Sequence, residues 1–322
     1  MEKNVLHYFV DTNSSRGFVS FWESNFGKLE KVVKLDGYPD LLVTQLVSQA
    51  CAQALGCEQE VELVHNCLDN SLQGIILPGQ KTGLLNLPAY GDESYSLRLA
   101  EDENLSKARE RVQRAYGCFG QALKIHDDWE RIFISSMDFE AMDELAEETA
   151  EKLFGGQKTD RAGSCADRFF GAATVNGSYD YIPNITQEIP KRYFLKGRPG
   201  TGKSTFLKML ARAAQDRGYR TEAYHCAFDP NSLDMIAVRE LGLCVFDSTA
   251  PHEYFPDRDS DEIIDIYKAA VQPGTDEKYE KEIAGYSAGY KAKVREATGY
   301  LGEAKLAYHQ YQTVSYTHLR AH

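Results

Sequence analysis

The sequence predicts an α/β protein of two tandem units, each a small sheet with helices followed by a helical arm. Three observations carry that prediction. A glycine-rich loop, GRPGTGKST at Gly197–Thr205, lies between a short β-prone run and a helix with one apolar face. A stretch near the N-terminus matches the surroundings of that loop at an offset of 160 positions, and of 161 after one inserted residue. After each matching region the chain enters a long helical pattern, ARERVQRAYGCFGQALKIHDDWE from Ala108 and AGYKAKVREATGYLGEAKLAYHQYQ from Ala288.

The loop region gives the clearest elements. Tyr193-Phe194-Leu195 predicts a strand. From Lys203, apolar residues at Phe206, Leu207, Leu210, Ala211 and Ala214 recur at the 3–4 spacing of a helix with one buried face, and Gly218 marks its end. Thr221–Phe228 predicts a second strand, and Leu243-Cys244-Val245-Phe246 a fully apolar third one ending in Asp247. Strand, glycine loop and helix in this order make a phosphate-binding P-loop, so the predicted architecture is a P-loop NTPase-like three-layer unit.

Each residue type in the loop has a chemical reason. Gly197, Gly200 and Gly202 let backbone N–H groups approach phosphate with no Cβ in the way. Arg198, Pro199, Thr201 and Thr205 complete the cradle, and the helix directs its positive end at the same anion. Lys203 reaches toward β- and γ-phosphates, and the Ser204 hydroxyl with Asp247 supplies hard oxygen ligands for Mg²⁺. Asp229 and Asp234, in HCAFDPNSLD, follow the second strand at the sheet edge where such folds place ligands. Either is a candidate general base toward an acceptor or water, and His225 and Asp229 are the candidate contacts to a second substrate. An ordinary capping role for Asp229 or Ser232 before a short helix is the competing account.

The first half reads as an altered copy. Gly37 falls on Gly197, Pro39 on Pro199 and His65 on His225. YFVDTNSSRGFVSF from Tyr8 agrees in style with FFGAATVNGSYDYI from Phe169. Val43 stands at the position of Lys203, Leu42 at Gly202, Asp40 at Gly200, Gln73 at Asp234 and Asn86 at Asp247. The apolar pattern survives while the groups for phosphate and Mg²⁺ are gone, so the first unit is predicted to be degenerate. The predicted organisation is a degenerate domain with its arm at 1–155, a linker at 156–167, and the P-loop domain with a shortened arm at 168–311. Residues 312–322, ending VSYTHLRAH, continue no apolar stripe and read as a tail of non-native character.

Composition narrows the function further. A net charge of −12 argues against a general nucleic-acid surface, which needs clustered Lys and Arg. No apolar run approaches a membrane span and no leader precedes MEKNVLHYFV, so a cytoplasmic location is expected. The 7 cysteines include no CxxC, which indicates neither a zinc ribbon nor a disulfide framework. His126, Asp127 and Asp128 in IHDDWE could bind a metal, but helix surface charge is the simpler account.

With the tandem arrangement, HCAFDPNSLD, FDSTAPH and IHDDWE in view, the chain resembles a bacterial family of cytoplasmic tandem P-loop proteins, labelled ATPases or predicted nucleotide kinases, over residues 5–311. The resemblance implies ATP or GTP as ligand with Mg²⁺. Its typical members have two recognisable loops, and the altered loop at 37–44 departs from that. Three functions stay open: hydrolysis of a nucleoside triphosphate, transfer of its phosphate to a small molecule or nucleotide, and nucleotide binding without catalysis, as a switch or scaffold.

Overall fold

The computed structural model describes residues 4–35, 38–90 and 102–320, with side chains through Val314. Gly37, the expected counterpart of Gly197, lies outside the described residues. The first half runs β1 (Val5–Phe9), β2 (Asp11–Ser14), β3 (Gly17–Ser20), α1 (Trp22–Phe26), β4 (Lys31–Lys34), α2 (Asp40–Gly56), β5 (Val61–His65), β6 (Leu72–Leu77), a 3-10 turn and β7 (Thr82–Leu85). The helices α3 (Glu103–Ile134) and α4 (Phe139–Phe154) follow.

The same order then returns as β8 (Ser164–Phe169), β9 (Gly171–Thr174), β10 (Gly177–Asp180), α5 (Ile182–Ile185), β11 (Lys191–Lys196), α6 (Lys203–Asp216), β12 (Arg220–His225), β13 (Leu233–Val238), a 3-10 turn and β14 (Leu243–Asp247). The chain continues through β15 (Glu262–Asp265), α7 (Ile266–Ala270), α8 (Thr275–Lys278) and α9 (Glu280–Arg320). The repeat is thus present element by element, and one alignment needs correcting. Gly17 and Gly177 turn equivalent hairpins at φ +89 and +105, so Phe9, not Tyr8, matches Phe169. A one-residue shift would put every side chain of β1 on the wrong face.

The compact units do not follow sequence order. Unit 1 comprises Met1–Gly120, Phe169–Ile185 and Val294–His322, and unit 2 comprises Gln121–Arg168 and Thr186–Lys293. A division at 155 and 168 gives each arm to the half before it, whereas unit 2 holds the later part of α3 and all of α4, and unit 1 the later part of α9. Helix length is the physical reason. At 1.5 Å per residue, α3 is about 48 Å long and α9 about 60 Å, longer than a unit of this size can cover. Through residues 312–320 the chain is the end of α9, within which Gln312 is buried.

The strands of unit 1 lie in the order β1-β5-β6-β7-β4, with β1–β5 and β4–β7 parallel and the hairpins β5–β6 and β6–β7 antiparallel. Those of unit 2 lie in the order β15-β11-β14-β13-β12-β8. There β11 is parallel to both β14 and β15, while β13 runs antiparallel to β12 and β14. β13 is absent from the sequence reading. Residues 226–232 form a turn rather than the short helix weighed there, and the chain folds straight back as a strand.

The helix face predicted for α6 is the buried one: Phe206, Leu207, Leu210, Ala211 and Ala214. They join Leu195, Val245, Ile236 and Met142 in one core, each large side chain contributing about 1.5–3 kcal/mol by leaving water. Asp138 caps α4 by accepting from Ala141 N–H at 3.1 Å. The predicted linker is shorter than 156–167, because β8 begins at Ser164, and it is anchored. Thr159 donates its N–H to Arg217 and its hydroxyl to the Gly218 carbonyl, both at 2.9 Å. Among the described residues no helix is long and apolar enough to cross a membrane.

Candidate functional site

Parallel β11 and β14 bring two chain ends to one edge of the unit 2 sheet, with Leu195 opposite Asp247. β13 enters from the same edge because it runs the other way, which puts Asp234 beside them. The loop between β11 and α6 therefore opens where three strands deliver side chains.

Gly200 and Gly202 both sit at φ +79, a left-handed conformation that costs other residues roughly 1–2 kcal/mol. Thr201 is fully buried and closes the loop on itself, its hydroxyl donating to the Arg198 carbonyl at 2.8 Å. A Cβ on Gly197 would come within 2.5 Å of that hydroxyl. Arg198 leads outward, paired with Asp276 at 2.8 Å and lying over the Tyr267 ring. Thr205 is exposed.

Lys203 Nζ donates to the Arg198 carbonyl at 2.9 Å and lies 3.6 Å from Asp247 Oδ2. Ser204 Oγ accepts from the Leu233 N–H at 2.9 Å, which ties α6 to the start of β13. Asp234 has its carboxyl pushed up by burial first and by the Asp247 carboxylate second. Asp234, Asp247 and the Ser204 hydroxyl are hard oxygen donors, the class that Mg²⁺ takes in preference to softer ligands. Ser204 bonds to Leu233, the residue before Asp234, which faces Asp247.

The other predicted contacts sit differently. Asp229 shapes its own turn, accepting from Asn231 N–H at 3.3 Å while its carbonyl accepts from Ser232 at 2.8 Å. His225 is engaged by Asp167 at 3.0 Å and by the Pro230 carbonyl at 2.8 Å. Its ring thus serves the fold on both nitrogens.

The later part of α3 supplies residues that sequence reading did not place here. A Cβ on Gly200 would meet the Glu130 carbonyl oxygen at 2.4 Å, so α3 rests directly on the loop. The Gly200 N–H donates toward the Glu130 carboxylate, whose pKa is raised by burial first, then by Asp127 and Asp229, against the lowering effect of Lys203. His126 lies 3.5 Å from that carboxylate and its ring is 6.0 Å from Phe228 and 5.7 Å from Tyr290. Burial, and next Lys203, lowers the His126 pKa, which favours a neutral imidazole. His126, Asp127 and Glu130 each offer one potential ligand atom within 4.8 Å of the others. Asp128, weighed as a ligand from sequence, instead pairs with Arg131 at 2.7 Å. The signal that could have found this face is the match of His126 with His309, a helical position repeated in both arms.

Unit 1 shows what the altered loop became. A cavity of about 520 Å³ is lined by Asp40, Leu42, Asp69, Lys305, His309 and Thr313, among others. Asp40 accepts from Asn86 at 3.4 Å, and its carboxyl is pushed up to about 6, chiefly by burial. Lys305 pairs with Asp69 at 3.2 Å. Val43, in the place of Lys203, is fully buried in the core. Compared with protein-family models, with curated proteins and with solved structures, the chain matches none of them.

Proposed function

We propose that the chain binds a nucleoside triphosphate, ATP or GTP, with Mg²⁺ at Gly197–Thr205 and hydrolyses it, as a P-loop ATPase or GTPase of the cytoplasm. The observation that carries this reading is the convergence of Lys203, Ser204, Asp234 and Asp247 beside a loop held open by left-handed Gly200 and Gly202. In it, backbone N–H groups of the loop and the first turn of α6 hold the phosphates. Lys203 neutralises the β- and γ-oxygens, releasing the Arg198 carbonyl to do so. Ser204 directly and Asp247 at longer range would hold Mg²⁺, which when bound draws negative charge off the phosphates. The first unit, with Val43 and Asp40 in place of Lys203 and Gly200, supports the fold and takes no triphosphate.

Calorimetry with Mg-ATP and Mg-GTP tests the reading. The expected result is binding that weakens at least 100-fold in Lys203→Ala, with the far-UV spectrum unchanged; equal binding in the variant refutes it. Phosphate release without an added acceptor supports hydrolysis. Release only with an acceptor identifies a kinase, for which Asp229 is the candidate base, and tight binding with no turnover identifies a switch or scaffold.

A further inference from the structure

Nothing in GRPGTGKST, nor Asp247, can deprotonate or orient an attacking water. Lys203 and the loop amides are donors, and Asp247 is committed to the cation side of the site, 3.6 Å from Lys203. Asp229 is engaged in holding its own turn, and Asp234 lies against Asp247 on the cation side with Cys226 hydrogen-bonded to it. A further carboxylate at the loop and within reach of Lys203 would complete the chemistry, and α3 carries one.

We infer that Glu130 is the general base for hydrolysis at the loop, with His126 and Asp127 completing a catalytic face contributed by α3. This rests on the nucleotide-binding reading above. Three observations support it. The first is contact: Glu130 meets the loop with its main chain and side chain at Gly200, a residue that must be glycine for both φ and space. The second is charge. Lys203 acts on both Glu130 and His126, as it does on Asp234, so the ammonium that would meet the phosphates is within electrostatic reach of both. The groups that face Glu130 are His126 and Asp127 on its own helix, Lys203 and the Gly200 N–H on the loop, and Asp229 on the β12–β13 turn. Burial holds its proton affinity above that of an exposed glutamate, which suits a base working near neutral pH.

The third observation is an internal control. With His126 matched to His309, Asp127 falls on Gln310 and Glu130 on Thr313. The repeat places α9 at the altered loop just as α3 is placed at the intact one, since His309 and Thr313 line the unit 1 cavity with Asp40. The copy that lacks Lys203, Asp234 and Asp247 thus also lacks Asp127, with Gln310 in its place, although that residue belongs to a different part of the chain; Thr313 falls within the tail of non-native character and is left out of the comparison. Surface charge on a helix gives no reason for that joint loss; a shared reaction does.

In the step proposed, the water oxygen attacks the γ-phosphorus while the bond from that phosphorus to the β-bridging oxygen breaks. The water proton passes to a Glu130 carboxylate oxygen. The products are the nucleoside diphosphate and inorganic phosphate, and Glu130 returns the proton to solvent. The neutral imidazole of His126, 3.5 Å away, keeps the carboxylate oriented.

The test is Glu130→Gln in the full chain, with Mg-ATP and Mg-GTP as probes, read by calorimetry and by phosphate release. The amide keeps the size of the side chain and its acceptor for the Gly200 N–H but cannot take a proton. Hydrolysis should fall about 100-fold or more, with binding within about threefold of the parent. Hydrolysis unchanged in the variant overturns the inference. So does loss of binding with hydrolysis per bound nucleotide intact, which would make Glu130 a support for the loop. Binding without measurable hydrolysis in the parent also overturns it. If the parent binds no nucleotide, the earlier reading fails and this one with it. Arg131→Gln, one residue along the same helix and exposed, should change neither measurement.

Discussion

Replacing Gly200 and Gly202 by alanine, one at a time, measures how firmly α3 is held against the loop. Both residues sit at φ +79, so each alanine incurs the same left-handed penalty of about 1–2 kcal/mol. Their surroundings differ. At Gly202 the nearest atom to a new Cβ is the flexible end of Met142, at 3.4 Å, an ordinary contact. At Gly200 it is the Glu130 carbonyl at 2.4 Å, with the Glu130 Cα and carbonyl carbon at 2.8 and 2.9 Å. Backbone within a helix cannot rotate away, so α3 must shift. Overpacking of this kind costs a further 1–3 kcal/mol or so. Chemical and thermal unfolding of both variants should therefore give a Gly202→Ala loss of about 1–2 kcal/mol and a Gly200→Ala loss larger by about 1–3 kcal/mol. For a unit of this size that difference is roughly 2–12 °C in Tm. Losses within about 0.5 kcal/mol of each other, or a milder effect at Gly200, refute the placement of α3 on the loop and remove the basis for a catalytic Glu130.

Two buried carboxylates give pH signatures of opposite sign. Asp11 is fully buried and its carboxyl is pushed up to about 6 by burial, so the folded chain keeps a proton that the unfolded chain releases near 3.8. Its contribution is full below about 3.8 and falls as pH rises to about 6. Asp11→Asn should abolish that decline in a pH series of melting curves and raise stability at pH 8 by about 2–3 kcal/mol. Asp261 is held down to about 2 by its hydrogen bond from Arg192, so its stabilisation is present above about 3.8 and lost as pH falls toward 2. Asp261→Asn should flatten that acid limb, and at pH 7 it should lower stability by up to about 2 kcal/mol, since Arg192 keeps Asp257 as its partner.

Much of this architecture is legible in the sequence, for identifiable reasons. α6 buries the five residues its spacing predicts, because a 3–4 apolar period on a helix has one packing solution. β14 ends at Asp247 as expected, since a fully apolar run closing on a carboxylate marks where a strand leaves the core. β13 was less visible. LDMIAV follows DPNS, and a turn into an antiparallel strand and a cap before a short helix begin with the same residues. The exchange of arms was hidden because a periodic stripe states that a helix has a buried face, not which sheet covers it. Glu130 was hidden for the same reason: a carboxylate on a charged helix looks the same in sequence whether it meets solvent or a glycine 70 positions away.

The two loops also explain each other's helices. In unit 2 the loop offers glycine at position 200 and the helix offers Glu130; in unit 1 the loop offers Asp40 and the helix offers Thr313. The unit 1 corner also holds Asp69, which adds to burial in raising the Asp40 carboxyl, and Lys305 of α9, which pairs with Asp69 at 3.2 Å. Asn86 in place of Asp247 turns the same corner into a donor for Asp40. Its acids are thus met by an amide and an ammonium of the chain itself, an arrangement that ties α9 to the connection after β5 and would repel a phosphate.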